Sequence, residues 1–493
     1  MLRITKLDSF WVLAPSWLKI TTIFLIGALS GLGQAPFNIP VLTLVCFGII
    51  IWLDNKAALI SHFKLGWIFG CGYFATTLAW ITQPFFVDIW ATGWMAPFAL
   101  AIMSMGLALF WGIAFVVAGG RHPLLLCVTF VLAEIARTYL FSGFPWALLG
   151  YAWIDTPIYQ LAAFIGPHGM TMLTLLLSTF IAYAPRFYGS ALVFCIIFLP
   201  FFLVIEGPAA DEDAAKVRLV HPNVDQIKKW DPNFQEEIYQ RHLKLSRSDD
   251  MIDLIVWPET SLYLPIEAVQ NEISAAANGA YVILGYQRRT DNNKIYNTLG
   301  TLSPLGSLIS EYYKNRLVPF GEYIPFSALF QKIGFKGLAG QGFSRGTGPE
   351  VFWVSSIGKV QPLICYEGIF PQFVGRADDR PDLLILITND AWFGAGQGAA
   401  QHFAQARART IELGLPMVRV ANRGITTVID ARGAFGELLG VDDRGSLDLA
   451  IPPALPPTFY AVYGEVIISL ILLFVTLIWL IMTLPRISLT RSE

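Results

Sequence analysis

Pro362-Leu363-Ile364-Cys365-Tyr366-Glu367-Gly368 closes a short apolar run on a thiol and an acid, and it decides how the polar part of this chain is read. The run has the composition of a buried strand, and strand ends are where α/β folds present functional groups on a rigid frame. The other four cysteines, Cys46, Cys71, Cys127 and Cys195, lie in long apolar runs, so the polar region holds one thiol with no partner. A lone thiol is ordinarily a small packing residue. Two segments upstream give it another meaning. Ile255-Val256-Trp257-Pro258-Glu259-Thr260 carries an apolar run to a glutamate, and Tyr312-Tyr313-Lys314-Asn315-Arg316-Leu317-Val318-Pro319-Phe320-Gly321-Glu322 carries another to a lysine.

The three residue types complement one another. A thiol with a free pKa of about 8.5 is a poor nucleophile at neutral pH and needs a base or a nearby cation. A carboxylate in an apolar pocket is raised towards the range in which it can take that proton. A lysine stabilises the oxyanion that follows attack on a carbonyl. If a sheet brings Glu259, Lys314 and Cys365 together, the trio suffices for acyl transfer through a thioester.

The rest of the chain sets where this chemistry takes place. Its 493 residues are 55% hydrophobic and 14% charged, with a mean hydropathy of +0.55, which marks an integral membrane protein. The formal net charge of -2 gives no ground for a nucleic-acid partner. A bilayer core of ~30 Å takes about 20 apolar residues per helix. Runs at 20–32, 41–53, 65–80, 95–118, 123–140, 158–183, 190–205 and 466–484 meet or approach that length, giving about eight spans. Seven precede the polar region and one follows it, so the expected division is a membrane bundle over 1–206, a polar domain over 215–451 and a last helix over 464–484. The first run lacks a small-x-small cleavage site and reads as an uncleaved anchor. Arg3, Lys6, Lys19, Lys56, Lys64, Arg121, Arg186, Arg486 and Arg491 fall in alternate loops. That alternation puts both termini in the cytoplasm and the polar domain on the opposite, periplasmic face of a bacterial inner membrane.

Within the polar region, linkers at 206–216 and 452–457 bracket β-branched runs at 217–220, 254–257, 281–284, 297–302, 360–365, 383–388, 417–421 and 426–429. Residues 401–413 have helical periodicity, and the whole reads as an α/β domain.

Trp257-Pro258-Glu259-Thr260, the Lys314 to Glu322 segment and Cys365-Tyr366-Glu367 resemble the glutamate, lysine and cysteine motifs of the nitrilase superfamily. With the membrane runs on either side, the full length resembles bacterial apolipoprotein N-acyltransferases. The resemblance implies a four-layer α-β-β-α nitrilase-like domain on a polytopic helical bundle. It implies Glu259 as general base, Lys314 as oxyanion stabiliser and Cys365 as nucleophile, with Glu322, Tyr366 and Glu367 in support. Trp230 and Asn297 are expected at the substrate. The donor would be a membrane phospholipid and the acceptor the α-amino group of a diacylated apolipoprotein. Neither cofactor nor metal is expected. The segments Thr388 to Gly394 and Gln401-His402-Phe403 fit the family as well, whereas Gly394-Ala395-Gly396-Gln397-Gly398 is richer in glycine than its pattern.

Each of these residues also has a plainer reading. Glu259 alone is a turn carboxylate, Lys314 a solvated lysine paired to Glu322, Trp230 a packing residue and His402 a hydrogen-bonded structural histidine. Glu134 and Arg137, spaced i, i+3 in an apolar run, are either a structural ion pair or functional intramembrane charges. Residues 141–146 read as an interfacial aromatic loop, either a lipid path or a plain anchor, and 330–346 as either a mobile lipid-facing arm or a surface loop. Gly31-Leu32-Gly33 has no strand before it and is not a dinucleotide site; there is no Walker A pattern and no His-Glu-x-x-His. Two other functions compete with transfer to an amine. One is a membrane-tethered amidase or nitrilase-type hydrolase, with water in place of the amine. The other is a transporter or receptor whose polar domain only binds, which would need no base, cation and nucleophile together.

Overall fold

The computed structural model describes residues 14–55, 61–184, 188, 189, 191, 192, 194, 195, 206–325, 342–394 and 396–483. Among the described residues, six helices of 15 residues or more come first: α1 (Ser16–Ser30), α2 (Pro40–Asp54), α3 (His62–Thr77), α4 (Ala96–Ala118), α5 (Pro123–Tyr139) and α6 (Ala162–Tyr183). Apolar helices in lipid gain little from hiding apolar surface from one another and associate by close packing of small residues. Here α1 and α3 meet at glycines from both sides. A Cβ on Gly27 would lie 2.0 Å from the Phe69 carbonyl oxygen, and one on Gly72 would lie 2.0 Å from that of Phe24.

Four helical stretches among the described residues are long and apolar enough to cross a bilayer: Ser16–Gly33, Ile89–Ala118, Pro157–Tyr183 and Val466–Thr483. A fifth is obtained if α3 and Ala79–Phe86, bent by 48°, form one broken span. Helices α2 and α5 are shorter, with 15 and 17 residues, and sit against long neighbours. Most of the run at 190–205, the basic residues at 3, 6, 56, 186, 486 and 491, and most of the arm at 330–346 lie outside the described residues.

The polar region folds as β1 (Lys216–His221), α7 (Gln235–Ser246), β2 (Leu254–Val256), α8 (Ile266–Ala277), β3 (Tyr281–Arg289), β4 (Ile295–Leu302), β5 (Leu308–Tyr313), β6 (Phe352–Val354), β7 (Gly358–Ile364), β8 (Leu383–Thr388), α9 (Gln397–Leu413), β9 (Met417–Ala421), β10 (Thr427–Ile429) and β11 (Gly445–Ala450), before the last helix, α10 (Val466–Thr483). The strands form two sheets, in the orders β11-β1-β2-β3-β4-β5 and β10-β9-β8-β7-β6. Strands β6 and β11 stand beyond the runs expected from sequence, β6 because it has only three residues and β11 because an edge strand with one wet face carries polar residues in place of a continuous apolar run.

Alternation of side chains builds the layers. Leu383, Ile385 and Ile387 of β8 point between the sheets, where they meet Val217, Leu254, Val256 and Ile283 of the other sheet. Ile255, Val282 and Leu284 point the other way, onto Leu243 of α7 and Val269 and Ile273 of α8. Leu384 and Leu386 face Phe403 and Ala406 of α9, in a core continuous with the helical bundle. The domain is thus layered helix, sheet, sheet, helix, and its last layer is pressed between a sheet and the membrane helices.

Position in that last layer explains the composition of α9. Several of its buried polar side chains find partners on the bundle side: Trp146 donates to Gln401 at 2.6 Å, Gln401 donates to the Ala35 carbonyl, and Tyr159 donates to Glu412 at 2.9 Å. Arg409 donates to Glu412 and to the Tyr151 hydroxyl. Buried polar groups matched in this way carry no desolvation penalty from a missing partner.

Candidate active site

Strand sense brings the three sequence motifs to one end of the domain. β2 and β3 pair in parallel, β3 with β4 and β4 with β5 antiparallel, so β2 and β5 run the same way and end together. Glu259 follows β2 and Lys314 follows β5, while Cys365 follows β7 of the facing sheet. Each motif also holds a non-glycine residue in the left-handed region: Thr260 at φ 48°, Phe320 at 64° and Cys365 at 51°. Such backbone is costly and gathers where a side chain must be aimed. Gly285 on β3 makes room for the first of them, since a Cβ there would lie 2.7 Å from Glu259 Cα.

Lys314 is the centre of the first sheet's contribution. Its Nζ donates to Glu259 Oε1 at 3.1 Å and to Glu322 Oε1 at 2.9 Å, and its side chain is 1% exposed. Burial works against the ammonium, but Glu259 and Glu322 carry it well above the ordinary lysine range. Asn297, expected to touch substrate, is buried and gives its amide hydrogens to the same two acids, at 2.8 and 3.0 Å. It therefore fixes the carboxylates in place. Glu322 also accepts from the Val318 amide through its second oxygen, whereas both hydrogen bonds of Glu259 fall on Oε1.

The Cys365 thiol is buried at the start of a tight helical turn, Cys365–Ile369. Burial pushes its pKa up, as does Glu259, while Lys314 and a hydrogen bond with Thr388 pull it down; the net direction is well above an ordinary thiol. Glu367 ties this turn to the lysine segment. It accepts from the Ile364, Asn315 and Arg316 amides and from the Tyr312 hydroxyl, at 2.7 to 3.1 Å. Burial raises its carboxyl to about 7 despite those four donors. Tyr366 donates to the Gly143 carbonyl at 3.3 Å and stands edge-on to Phe370, so the residue beside the nucleophile rests on the membrane bundle.

Trp230 lies half-exposed against Tyr263, at a ring separation of 6.1 Å. Its neighbour Lys229 was not singled out by sequence. Lys229 is buried, donates to the Glu259 carbonyl at 2.9 Å, and is lowered to about 8 by burial, which Glu259 and Cys365 oppose. The Lys228-Lys229 doublet is the only sequence signal for it, and nothing in a doublet tells which lysine turns inward. His402 does hydrogen-bond as a structural histidine would, though its partners are Asp390 and the backbone of Cys365 itself.

Glu134 and Arg137 form a bidentate pair, 2.7 and 3.0 Å, with Trp111 donating to the same glutamate. Arg137 also donates to the Phe144 and Trp146 carbonyls, both at 2.7 Å. The pair thereby clamps the aromatic loop that receives Tyr366. Within that loop Phe141 is exposed and Trp146 is buried. Among the described residues no group of three or more His, Cys, Asp or Glu is placed to hold a metal.

Residues 217–436 match the carbon-nitrogen hydrolase family, and residues 26–180 match the apolipoprotein N-acyltransferase N-terminal domain. The apolipoprotein N-acyltransferase of Bradyrhizobium diazoefficiens is 33% identical, over 94% of this chain and 95% of its own length. That of Brucella suis biovar 1 is 32% identical over 95% and 96%, and that of Rickettsia bellii 33% identical over 92% and 96%.

Proposed function

The chain belongs to the apolipoprotein N-acyltransferase family, as a membrane acyltransferase, and from that premise we propose that it moves an acyl chain from a phospholipid to a lipoprotein amine through a thioester on Cys365. The observation that carries this reading is the convergence of a lysine held between two carboxylates with a buried, protonated thiol at the ends of two facing sheets.

A thiol pushed up by burial is not a standing thiolate, so its proton must leave as the bond to carbon forms. Glu259 takes that proton through Oε2, the oxygen not already engaged by Lys314 and Asn297. Glu322 is saturated by Lys314, Asn297 and the Val318 amide, and holds the lysine in place. Sγ attacks the ester carbonyl of a membrane phospholipid, and the resulting oxyanion is met by the Lys314 ammonium. Collapse expels the lysophospholipid alkoxide, which recovers the proton from Glu259. In the second half the α-amino group of a diacylglyceryl-modified N-terminal cysteine attacks the thioester, Glu259 takes an amine proton, and the thiolate leaves to be reprotonated. Both substrates are lipids, so a site resting on a bundle meets both at one interface.

The same reading takes residues 1–206 as about seven spans, 215–451 as the catalytic domain and 464–484 as the last span. The alternation of basic loops supports cytoplasmic termini and a periplasmic catalytic domain. The test is to incubate the purified protein with phospholipid vesicles and then add a diacylated lipopeptide. An N-acylated peptide is expected. Release of free fatty acid alone, with the peptide unchanged, makes the protein a hydrolase.

A further inference from the structure

The nucleophile's turn is held from behind by one face of α9. His402 Nε2 lies 3.2 Å from the Cys365 carbonyl oxygen at the start of the turn. Arg409 donates to the Ile369 carbonyl at its end, at 3.0 Å. The two side chains are seven residues apart, two helical turns, and so share a face. His402 is itself fixed: Nδ1 lies 2.9 Å from Asp390 Oδ1, and its ring lies 25° from parallel to Trp146 of the membrane loop. Asp390 is fixed in turn, by Arg419 at 2.7 Å and by the Thr388 hydroxyl at 2.8 Å. Burial alone would raise the Asp390 carboxyl, but Arg419 and His402 hold it well below the usual carboxylate range. A carbonyl only accepts, so Nε2 is the donor to Cys365, while Nδ1 faces Asp390 Oδ1 and, at 3.2 Å, an Arg419 amino group.

We propose that His402, braced by Asp390 and Arg419, is a positioning residue that holds the Cys365 carbonyl and so fixes the left-handed backbone from which the thiol is aimed. A non-glycine residue at φ 51° relaxes unless its surroundings prevent it. No catalytic side chain contributes a bond to that carbonyl, and His402 does. The chain of contacts runs Trp146, His402, Cys365, so the bundle that meets the lipid also sets the register of the nucleophile. A displacement of about 1 Å in a reacting group costs about 10²-fold in rate.

This inference rests on Cys365 as the acylated residue, and two substitutions in the full-length protein separate it from that reading. His402→Phe fills the space with no donor, while His402→Gln keeps an N–H near the position of Nε2. We expect His402→Phe to slow acyl-enzyme formation at saturating phospholipid about 10²-fold with little change in the lipid KM, and His402→Gln to recover to within about tenfold of the native rate. Overturning results are a native rate in His402→Phe, equal loss in both variants, or a loss confined to KM. Should His402→Phe not fold, Asp390→Asn, which removes the charge that holds the ring, must give the same kcat loss, and a native rate there sinks the proposal. If the native protein gains no acyl group on Cys365, the proposed function fails as a whole; if it does and both variants match it, only the role of His402 fails.

Discussion

Cys365 stands between two clusters of buried charge that are built alike and do different things. On one flank Lys314 is held by Glu259, Glu322 and Asn297 at the end of the first sheet. On the other, Asp390 is held by Arg419, His402 and Thr388 behind the second. Each has one central ion and three neighbours, buried except for Glu322, which is partly exposed. The first reaches the thiol with side chains and leaves Glu259 Oε2 outside its hydrogen bonds. The second reaches the nucleophile's backbone through His402 and its thiol only through the neutral Thr388 hydroxyl, and has its central acid fully engaged. Burial of charge therefore does not by itself mark chemistry; what marks it is capacity left over after the structural bonds are made.

Substitutions can break that comparison. The largest effect belongs to the residue between the clusters: Cys365→Ala is expected to abolish thioester formation, while Cys71→Ala, in an apolar helix, leaves it unchanged in the same acylation assay. Equal loss in both would refute Cys365 as nucleophile. On the chemical flank, Glu259→Gln and Lys314→Met should each lower the acylation rate about 10³-fold, as expected of a lost general base or oxyanion partner, with folding retained in a thermal unfolding scan.

Glu367 sharpens the contrast because it serves geometry on the chemical flank. In Glu367→Gln an amide N–H must face one of four donors, which leaves a buried group unmatched and should cost about 1–3 kcal/mol, read as a lowered unfolding midpoint in detergent. An unchanged midpoint would mean that the turn is held elsewhere.

The smallest effect concerns Lys229. Burial lowers it from 10.5 to about 8, so between those values the folded chain binds fewer protons than the unfolded one. The cost of burying it is fully present below pH 8 and fades as the pH rises towards 10.5. The native protein should accordingly gain stability across that window relative to Lys229→Met. Parallel profiles for the two, measured as unfolding midpoint against pH, would mean that folding does not lower the Lys229 pKa.

The chemical flank was legible in sequence because each of its residues ends an apolar run, and alternation in β2, β5 and β7 fixes where a strand stops. The bracing flank was not. Asp390 and Arg419 look like ordinary surface charges in sequence, and both are buried against His402 of α9, a helix docked on the bundle through contacts between segments some 250 residues apart, as in the bond from Trp146 to Gln401. Periodicity found α9 over 401–413 but not its first turn from Gln397, where glycine and glutamine weaken the pattern. Apolar length likewise registers α2 and α5 only as runs, since short helices packed on long ones are as apolar as spans. Asn297 was placed near substrate by resemblance, and only the geometry assigns it to the two acids.

The central claim is that acyl groups pass through one sulfur. The most direct measurement incubates the native protein with phospholipid, without acceptor, digests it and weighs the peptide that contains Cys365. The account predicts one fatty-acyl mass on that peptide, labile to hydroxylamine, absent from Cys365→Ala and discharged by an added diacylated lipopeptide. An acyl group on any other residue, or N-acylated product formed by Cys365→Ala, would contradict it.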